Sequence, residues 1–254
     1  MHLASPHGIA RNSASLARFA IAVALTCQVV GAGPAEFRAD AETRSRLTLA
    51  RRSLSLDTRS PDTLIVEVSK RRADAISEPG ASKVQLSLDG RCRIDDSTIS
   101  HVLDGERFWQ TRDVSVAVRE RAKRNVTRRC AVYALAYALR PFAGFPMTAR
   151  ALPSQELHGI SGLPIEFSGA GGAVIVLMLD PTLHRPIGLI EGFRKAPDAP
   201  LALMAVSRFT TYSKGPGIRH PATIAETSGG VTLQLTVTTA QFGTHLAASQ
   251  FTQP

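Results

Sequence analysis

From residue 63 onward, apolar and polar positions alternate along much of the chain with the period of two that is typical of half-buried β-strands. Residues 83–88 and 231–237 show this alternation most clearly, whereas residues 173–179 are apolar on both faces, which predicts a strand covered on both sides. Asp-Gly, Gly-Gly and proline-containing turns separate the segments, and strands joined by short turns predict an antiparallel sheet. The predicted strands span residues 63–68, 83–88, 91–94, 100–103, 107–110, 164–168, 173–179, 187–193, 203–212, 218–226 and 231–239.

One segment inside this β-rich region has the spacing of an amphipathic helix. Apolar residues recur every three or four positions from Val118 to Tyr137, on a stripe that includes Cys130. Pro141 marks the end of this helix, because proline cannot continue a helix interior, and the residues after it predict a loop. A charged segment at residues 35–52 is also compatible with a helix. The sequence therefore predicts an α+β fold.

The first part of the chain has the pattern of an export signal. Two arginines and no acidic residue precede an apolar run at residues 19–30, and small residues follow it. We therefore predict a cleaved signal over residues 1–35 and a single domain over residues 36–254. A short buried helix is one alternative interpretation of the run. Lipid attachment at Cys27 is another, which Thr26 disfavours because it is bulkier than the residue usual before a modified cysteine.

Composition limits the classes of protein to which this chain can belong. Hydrophobic residues make up 44% and charged residues 20% of the 254 residues, which suffices for a packed core. The three cysteines are too few for a disulfide scaffold or a four-cysteine zinc site. After removal of the predicted signal, 28 basic residues stand against 21 acidic ones, a net charge of +7. None of these values indicates a particular function.

The basic excess is concentrated at residues 119–129, where six basic residues accompany the single acid Glu120. A solvated helix face is the simplest interpretation. The alternative is contact with an anionic lipid headgroup, a membrane surface or an acidic protein partner, made by Arg121, Arg124 and Arg128. Export and the absence of interleaved aromatic residues argue against a nucleic-acid partner, although basic helices can bind phosphates.

No residue pattern in the sequence indicates catalysis or metal binding. None of the seven histidines is spaced from another histidine, a cysteine or a carboxylate as metal ligands are. Nucleophile, phosphate-binding and zinc-protease motifs are absent, and residues 169–172 predict a hairpin turn rather than a dinucleotide site. Asp95 and Asp96 lack a companion acid or base, and we interpret them as a solvated turn. We expect no catalytic residue, no cofactor and no metal.

Signal removal would leave two cysteines, Cys92 and Cys130, in an oxidising compartment. In the predicted strand at residues 91–94, Cys92 and Ile94 share one face, and Cys130 lies on the apolar stripe of the predicted helix. Both side chains should therefore point between the helix and the sheet. We predict a disulfide between them, and two unrelated buried thiols are the alternative.

Four segments contain motifs that occur in the same order in a known superfamily. They are Asp-Gly followed by an aromatic pair within residues 102–109, the helix end Leu-Arg-Pro-Phe at residues 139–142, the hairpin Asp-Pro-Thr-Leu-His-Arg-Pro at residues 180–186, and the strands from residue 209 with a terminal Phe-Thr-Gln-Pro. Through these motifs residues 60–254 resemble the LolA-like superfamily of periplasmic lipoprotein carriers and outer-membrane lipoprotein-sorting proteins.

The resemblance implies an incomplete antiparallel β-barrel, a half-barrel cup with an internal helix and a helical lid, whose apolar cavity receives acyl chains. It also implies a monomeric, non-enzymatic periplasmic protein that binds a lipid or an acylated lipoprotein, with a membrane surface or a membrane protein as a further partner. In this sequence the closing strand has the clearest inward face, and the aromatic pair of the first motif supplies one more candidate. The expected cup residues are Val231, Leu233, Leu235, Val237 and Trp109.

Two other functions remain open from the sequence. The same fold could serve a periplasmic sensor or regulator in which the cup recognises a protein segment, and lipid that co-purifies would distinguish a carrier from it. A basic polyanion-binding module is the third possibility, and retention of the full-length chain in the cytoplasm would favour it.

Overall fold

The structure is a computed structural model that describes residues 38–56, 61–73, 80–112, 114–213 and 217–253. The predicted export signal, with Cys27, lies outside the described residues. Within these ranges, no helix combines the length and the apolar character that crossing a bilayer requires.

The first helix, α1, spans Ala41–Ser53 and confirms the helix-compatible segment of the sequence. The side chain of Asp40 accepts a hydrogen bond from the backbone N–H of Thr43 at 2.7 Å, which satisfies one of the free donors of the first turn. Leu47 and Ala50 are buried, so this helix packs through one side into the core.

The second helix, α2, spans Val116–Tyr133 and continues into a π-helical turn at Ala134–Ala138. Leu139 ends it in the left-handed region at a φ of 51°, close to the predicted end. The apolar stripe is buried in the C-terminal half of the helix, but Val118 is 51% exposed. The expectation that Val118 packs inward is wrong, because α2 contacts the core only from Ala122 onward.

Fourteen strands form one large sheet in the described part of the chain. They include every strand predicted from the sequence, with bounds that differ by a few residues. The strands are β1 (Arg38–Ala39), β2 (Thr63–Arg72), β3 (Gly80–Ser87), β4 (Arg91–Asp96), β5 (Ile99–Asp104), β6 (Arg107–Gln110), β7 (Met147–Ala151), β8 (Gln155–Leu157), β9 (Ile160–Gly169), β10 (Ala173–Leu179), β11 (Pro186–Phe193), β12 (Ala202–Tyr212), β13 (Pro221–Ser228) and β14 (Val231–Phe242).

The sheet is open and almost wholly antiparallel. Its strand order is β1-β7-β9-β10-β11-β12-β13-β14-β2-β3-β4-β5-β6, and β8 pairs with β9 outside this path. Only the pair of β1 and β7 is parallel among the described strands. Because β1 and β6 each keep one free edge, the sheet does not close into a barrel. The predicted fold class, an incomplete antiparallel barrel with an internal helix, is confirmed.

Three short strands were missed by the sequence prediction. β1 has two residues and β8 has three, while β7 lies in the segment after α2 for which the sequence predicts a loop. In β7, Met147 and Ala149 are buried, and Thr148 and Arg150 are exposed. An alternation this short, with an alanine as one of the two buried residues, has too little hydrophobic contrast to predict a strand.

The two faces of the sheet bury unequal cores. The main core lies on the face that α1 and α2 cover, and it includes the fully buried Tyr137 and Phe167. Two smaller clusters lie on the opposite face, one that includes Met178 and another that includes Phe251. The larger core therefore lies on the face that the helices cover.

A disulfide connects α2 to the sheet. Cys92 of β4 and Cys130 of α2 are bonded, with their Cα atoms 6.5 Å apart, and both residues are fully buried. This is the pair that strand alternation and helical spacing indicated. Because the bond joins the C-terminal half of α2 to β4, that half of the helix cannot separate from the sheet while the bond is intact.

Candidate functional site

A cavity of about 350 Å³ lies between α2 and the sheet. Its helical side comes from the last turns of α2 and the π-helical turn, and its other side comes from β11, β12, β13, β14 and β2, which are consecutive neighbours in the sheet. Residues two positions apart line the cavity from each strand, because only every second side chain faces the helix. Met204 of β12 is the exception, since it lies next to Ala205 at an irregularity in the pairing of β11 with β12. We call the hydrophobic lining the apolar wall, which consists of Val68, Val132, Ala136, Leu189, Met204, Ala205, Phe209, Ile224, Leu233 and Leu235.

Charged side chains line another part of the cavity and connect α2 to the sheet. Arg128 forms an ion pair with Glu191 of β11, whose side chain is 9% exposed. Arg129 Nη1 lies 3.1 Å from Asp96 Oδ2, and Lys70 Nζ lies 2.7 Å from Asp96 Oδ1. These ion pairs reinforce the attachment that the disulfide provides. We call the charged lining the charged wall, which consists of Lys70, Arg128, Arg129, Glu191 and Glu226.

Two tyrosines stand on the helical side of the cavity. The rings of Tyr133 and Tyr137 stack with centroids 5.8 Å apart, and the ring of His220 lies 6.1 Å from that of Tyr137. Burial raises the pKa of Tyr133 and raises the pKa of Tyr137 well above its ordinary value, so both phenols stay protonated at neutral pH. The helical side of the cavity is therefore aromatic and uncharged at these positions.

The interpretation of Asp95 and Asp96 as a solvated turn is wrong, because both residues lie in β4. Asp95 forms an ion pair with Arg93, and Asp96 is half-buried beside the cavity. Burial alone would raise the pKa of its carboxyl group, but the nearby charges of Arg129 and Lys70 and their hydrogen bonds hold that pKa well below its usual range. These two cations come from α2 and β2, which are distant from Asp96 in the chain. Asp96 is therefore a fixed counter-charge beside the cavity.

The depressed pKa of Asp96 predicts a pH dependence of stability. A carboxyl group whose pKa is lower in the folded state stabilises the fold above its unfolded pKa of about 3.9, and this contribution is lost as the pH falls toward the folded-state pKa. After allowance for solvent screening, the free energy of unfolding should fall by about 1 kcal/mol more in the wild type than in Asp96→Asn between about pH 6 and pH 3. Urea unfolding measures this difference. Asp95→Asn is the control, and an equal pH dependence in all three proteins would contradict the assignment.

The structure brings two of the five expected cup residues into the cavity wall. Leu233 and Leu235 line the cavity, and Leu235 is 7% exposed. Val237, on the same face of β14, packs against the main core outside the cavity lining. Val231 is 38% exposed, because it begins β14 directly after a glycine turn at the end of the hairpin. The expected inward face of β14 thus reaches the cavity only in its middle part.

Trp109 does not line the cavity, and its assignment to the cup is wrong. It pairs with Val102 across β5 and β6, and both pack with Ile65 and Phe251 on the opposite face of the sheet. The preceding residue, Phe108, is the one that belongs to the main core. Because consecutive residues of a strand face opposite sides of the sheet, the aromatic residue that faces inward is the first of the pair.

The three predicted basic contacts are not equivalent. Arg121 and Arg124 are exposed on α2. Arg128 instead lines the cavity and pairs with Glu191. Only Arg121 and Arg124 are therefore free to act at the outer surface of the helix.

Most of the cavity was missed by sequence reasoning. The sequence predicts the strands that contain Leu189, Phe209 and Ile224, but it does not predict that these residues line the cup. It likewise predicts the helix that contains Ala136 without indicating that this residue faces the cavity. The alternation in these strands shows that they have two different faces. It does not show which face lies beneath α2, because that depends on where the helix packs.

The described residues contain no group of three or more His, Cys, Asp or Glu side chains that could hold a metal ion. At the cavity, carboxylates and cations pair with one another instead. An apolar wall next to a charged wall suits a molecule that has an apolar part and a polar end.

Comparisons with known proteins concern the fold. No family model and no curated protein matches the sequence. A solved structure of a LolA superfamily protein from Nitrosomonas europaea superposes with a TM-score of 0.52 at 12% sequence identity, over 83% of this chain and 97% of its own. A DUF1329 family protein from Desulfovibrio piger gives a TM-score of 0.52 at 11% identity, over the same shares of 83% and 97%.

A third structure, of a domain described as an outer membrane lipoprotein-sorting protein from Vibrio parahaemolyticus, has a lower TM-score of 0.48 at 16% identity and covers 82% of this chain and 97% of its own. At such identities the similarity concerns architecture and not activity. The resemblance drawn from the sequence motifs is confirmed at that level. The chain has the LolA-like fold.

Proposed function

We propose that this protein is an exported, non-enzymatic carrier that binds the acyl chain of a lipid or of an acylated lipoprotein in the cavity beneath α2. The observation that carries the proposal is the cavity lining, in which a continuous apolar wall adjoins a charged wall. Transfer of an acyl chain from water to such a wall is favourable by about 0.8 kcal/mol for each buried methylene. A carrier needs no catalytic group. Removal of residues 1–35 and action in the periplasm belong to the proposal.

The size of the cavity favours one chain as the ligand. Ligand sites usually measure about 300 to 1,000 Å³, so a cavity of about 350 Å³ lies near the lower end of that range. A cavity near this lower bound is suited to a single slender chain. Two or three acyl chains would require the cavity to widen.

The charged wall fixes the orientation of such a ligand. A polar end placed against the apolar wall would lose its hydrogen bonds to water without replacement, which costs free energy. Placed against Lys70, Arg128 and Glu191, the same group meets charged partners. The acyl chain would therefore lie against Leu235 and Phe209, with its polar end toward the ion pairs.

A sensor that recognises a protein segment would use the same cavity differently. Side chains inserted from a peptide are only a few carbons long, so affinity for acyl chains would not keep growing beyond that length. A carrier requires the opposite result, in which affinity follows chain length until the cavity is full.

A chain-length series tests the proposal. The purified protein is titrated with saturated fatty acids of about eight to eighteen carbons, each below its micelle concentration. We expect one ligand per protein and a Kd that falls about fourfold for each added methylene until the cavity is full, then levels off. Mass spectrometry of an organic extract should show a co-purified lipid. If the folded protein binds no fatty acid and yields no lipid, the carrier proposal fails and the sensor becomes the leading function.

A further inference from the structure

The beginning of α2 projects from the body of the protein. Residues 114–121, which we call the α2 tip, are all exposed. Three of them are valines, with Val114 41%, Val116 77% and Val118 51% exposed. Large exposed apolar side chains are otherwise scattered singly or in pairs among the described residues. A cluster of three within five residues at a protruding helix end is a feature that the cavity does not explain.

Basic residues surround these valines. Residues 112–124 contain five basic and two acidic side chains, a net charge of +3. Arg119 donates a hydrogen bond to the carbonyl oxygen of Phe108 at 2.6 Å, and Lys123 donates to the carbonyl oxygen of Glu106 at 2.7 Å. These bonds hold the helix against the β5–β6 hairpin and its neighbouring residues. Arg121 lies one turn after Val118, Arg124 lies about one further turn along the helix, and both remain exposed.

We propose that the α2 tip docks on an anionic lipid bilayer. The valines enter the interfacial region, where burial of apolar surface is favourable, and the arginines lie at the level of the acidic headgroups. The biological role of this docking rests on the proposed function, because a carrier of acyl chains must exchange them with a membrane. The docking itself depends on a different part of the molecule from the cavity.

The shape of the α2 tip favours a bilayer over a protein partner. A stable protein interface needs about 800 Å² on each side, with complementary surfaces. The α2 tip has eight residues, whereas a stable interface uses about 20 to 30 on each side. A bilayer requires no complementary shape, and it responds to the two properties that the tip has, positive charge and exposed apolar side chains.

The helix places this surface at a useful distance from the cavity. Val116 and Arg128 are twelve residues apart in α2, which corresponds to about 18 Å along the helix axis. Arg128 belongs to the charged wall, so α2 leads from the docking surface to the cavity. A bilayer at the tip would therefore lie within about one lipid length of the ligand's polar end.

Vesicle sedimentation tests the proposal. The whole mature protein is mixed with phosphatidylcholine vesicles that contain about one third phosphatidylglycerol, or with pure phosphatidylcholine vesicles. We expect binding to the anionic vesicles that weakens as salt is raised. Arg121→Gln and Arg124→Gln should each weaken it about fivefold, and Val116→Ser about five- to tenfold.

Matched controls separate docking from general effects. Arg52→Gln changes an exposed arginine of α1, and Leu183→Ser changes an exposed apolar residue in the β10–β11 turn, so neither should alter vesicle binding. Leu235→Asp should lose fatty-acid binding but keep vesicle binding, whereas the tip variants should do the reverse. Equal binding to both kinds of vesicle, or tip variants that bind like the wild type, would overturn the proposal. Failure to bind either vesicle would also overturn it and would leave a protein surface as the partner.

Discussion

Replacement of Cys92 and Cys130 together by alanine is expected to lower the free energy of unfolding by about 3 to 4 kcal/mol. The two residues are 38 positions apart, and the bond between them restricts the unfolded chain as well as holding α2 to β4. Both side chains are buried, so the change is made inside the core and not at the surface. Denaturant unfolding of the wild type and the double variant, both without reductant, measures the difference.

Thiol titration supplies the check on this prediction. The exported wild-type protein, denatured without reduction, should contain no free thiol among residues 36–254. Reduction before denaturation should bring the stability of the wild type close to that of the double variant. Two reactive thiols in the unreduced exported protein would contradict the prediction, because the disulfide would then be absent in the compartment where the protein acts.

A larger apolar side chain in the cavity should strongly weaken the binding of acyl chains, and it does so without placing a charge in the core. Ala205 lies in the apolar wall on β12, and a phenylalanine there would occupy the space of several methylenes of the ligand. With about fourfold of affinity for each methylene displaced, we expect Ala205→Phe to weaken fatty-acid binding at least about 100-fold. The control is Ala202→Phe on the same strand, because Ala202 is exposed and outside the cavity lining.

A second pair of variants tests another strand of the same apolar wall. Leu235→Asp places a carboxylate against acyl carbons that cannot solvate it, so binding should be lost. Thr236→Asp is the matched control, since Thr236 is the next residue and is exposed on the other face of β14. Thermal unfolding of each variant must show that the fold is retained. Full binding by a folded Ala205→Phe protein would place the acyl chain outside this cavity.

Alternation along the strands determined much of the fold in advance. The period of two in β14 and β3, and the doubly apolar β10, were sufficient to predict an antiparallel sheet with one crossing helix. Cys92 and Cys130 could be placed between helix and sheet for the same reason, because each lies on the apolar face of a regular element. Strands β1, β7 and β8 could not be predicted, since two to five residues with weak hydrophobic contrast carry no detectable period.

The sequence by itself determined which residues of an element share a face, and only the tertiary structure decided which face became the cavity. Phe108 and Trp109 show the limit: alternation separates them, but the pairing of β5 with β6 decides that Phe108 faces the main core. The ion pairs of Asp96 were equally hidden, because Arg129 and Lys70 meet it only after α2 packs on the sheet. Periodicity is a local property of the chain. The cavity lining, in contrast, combines residues from five strands and a helix, and these elements become neighbours only when the whole sheet has formed and α2 packs on it.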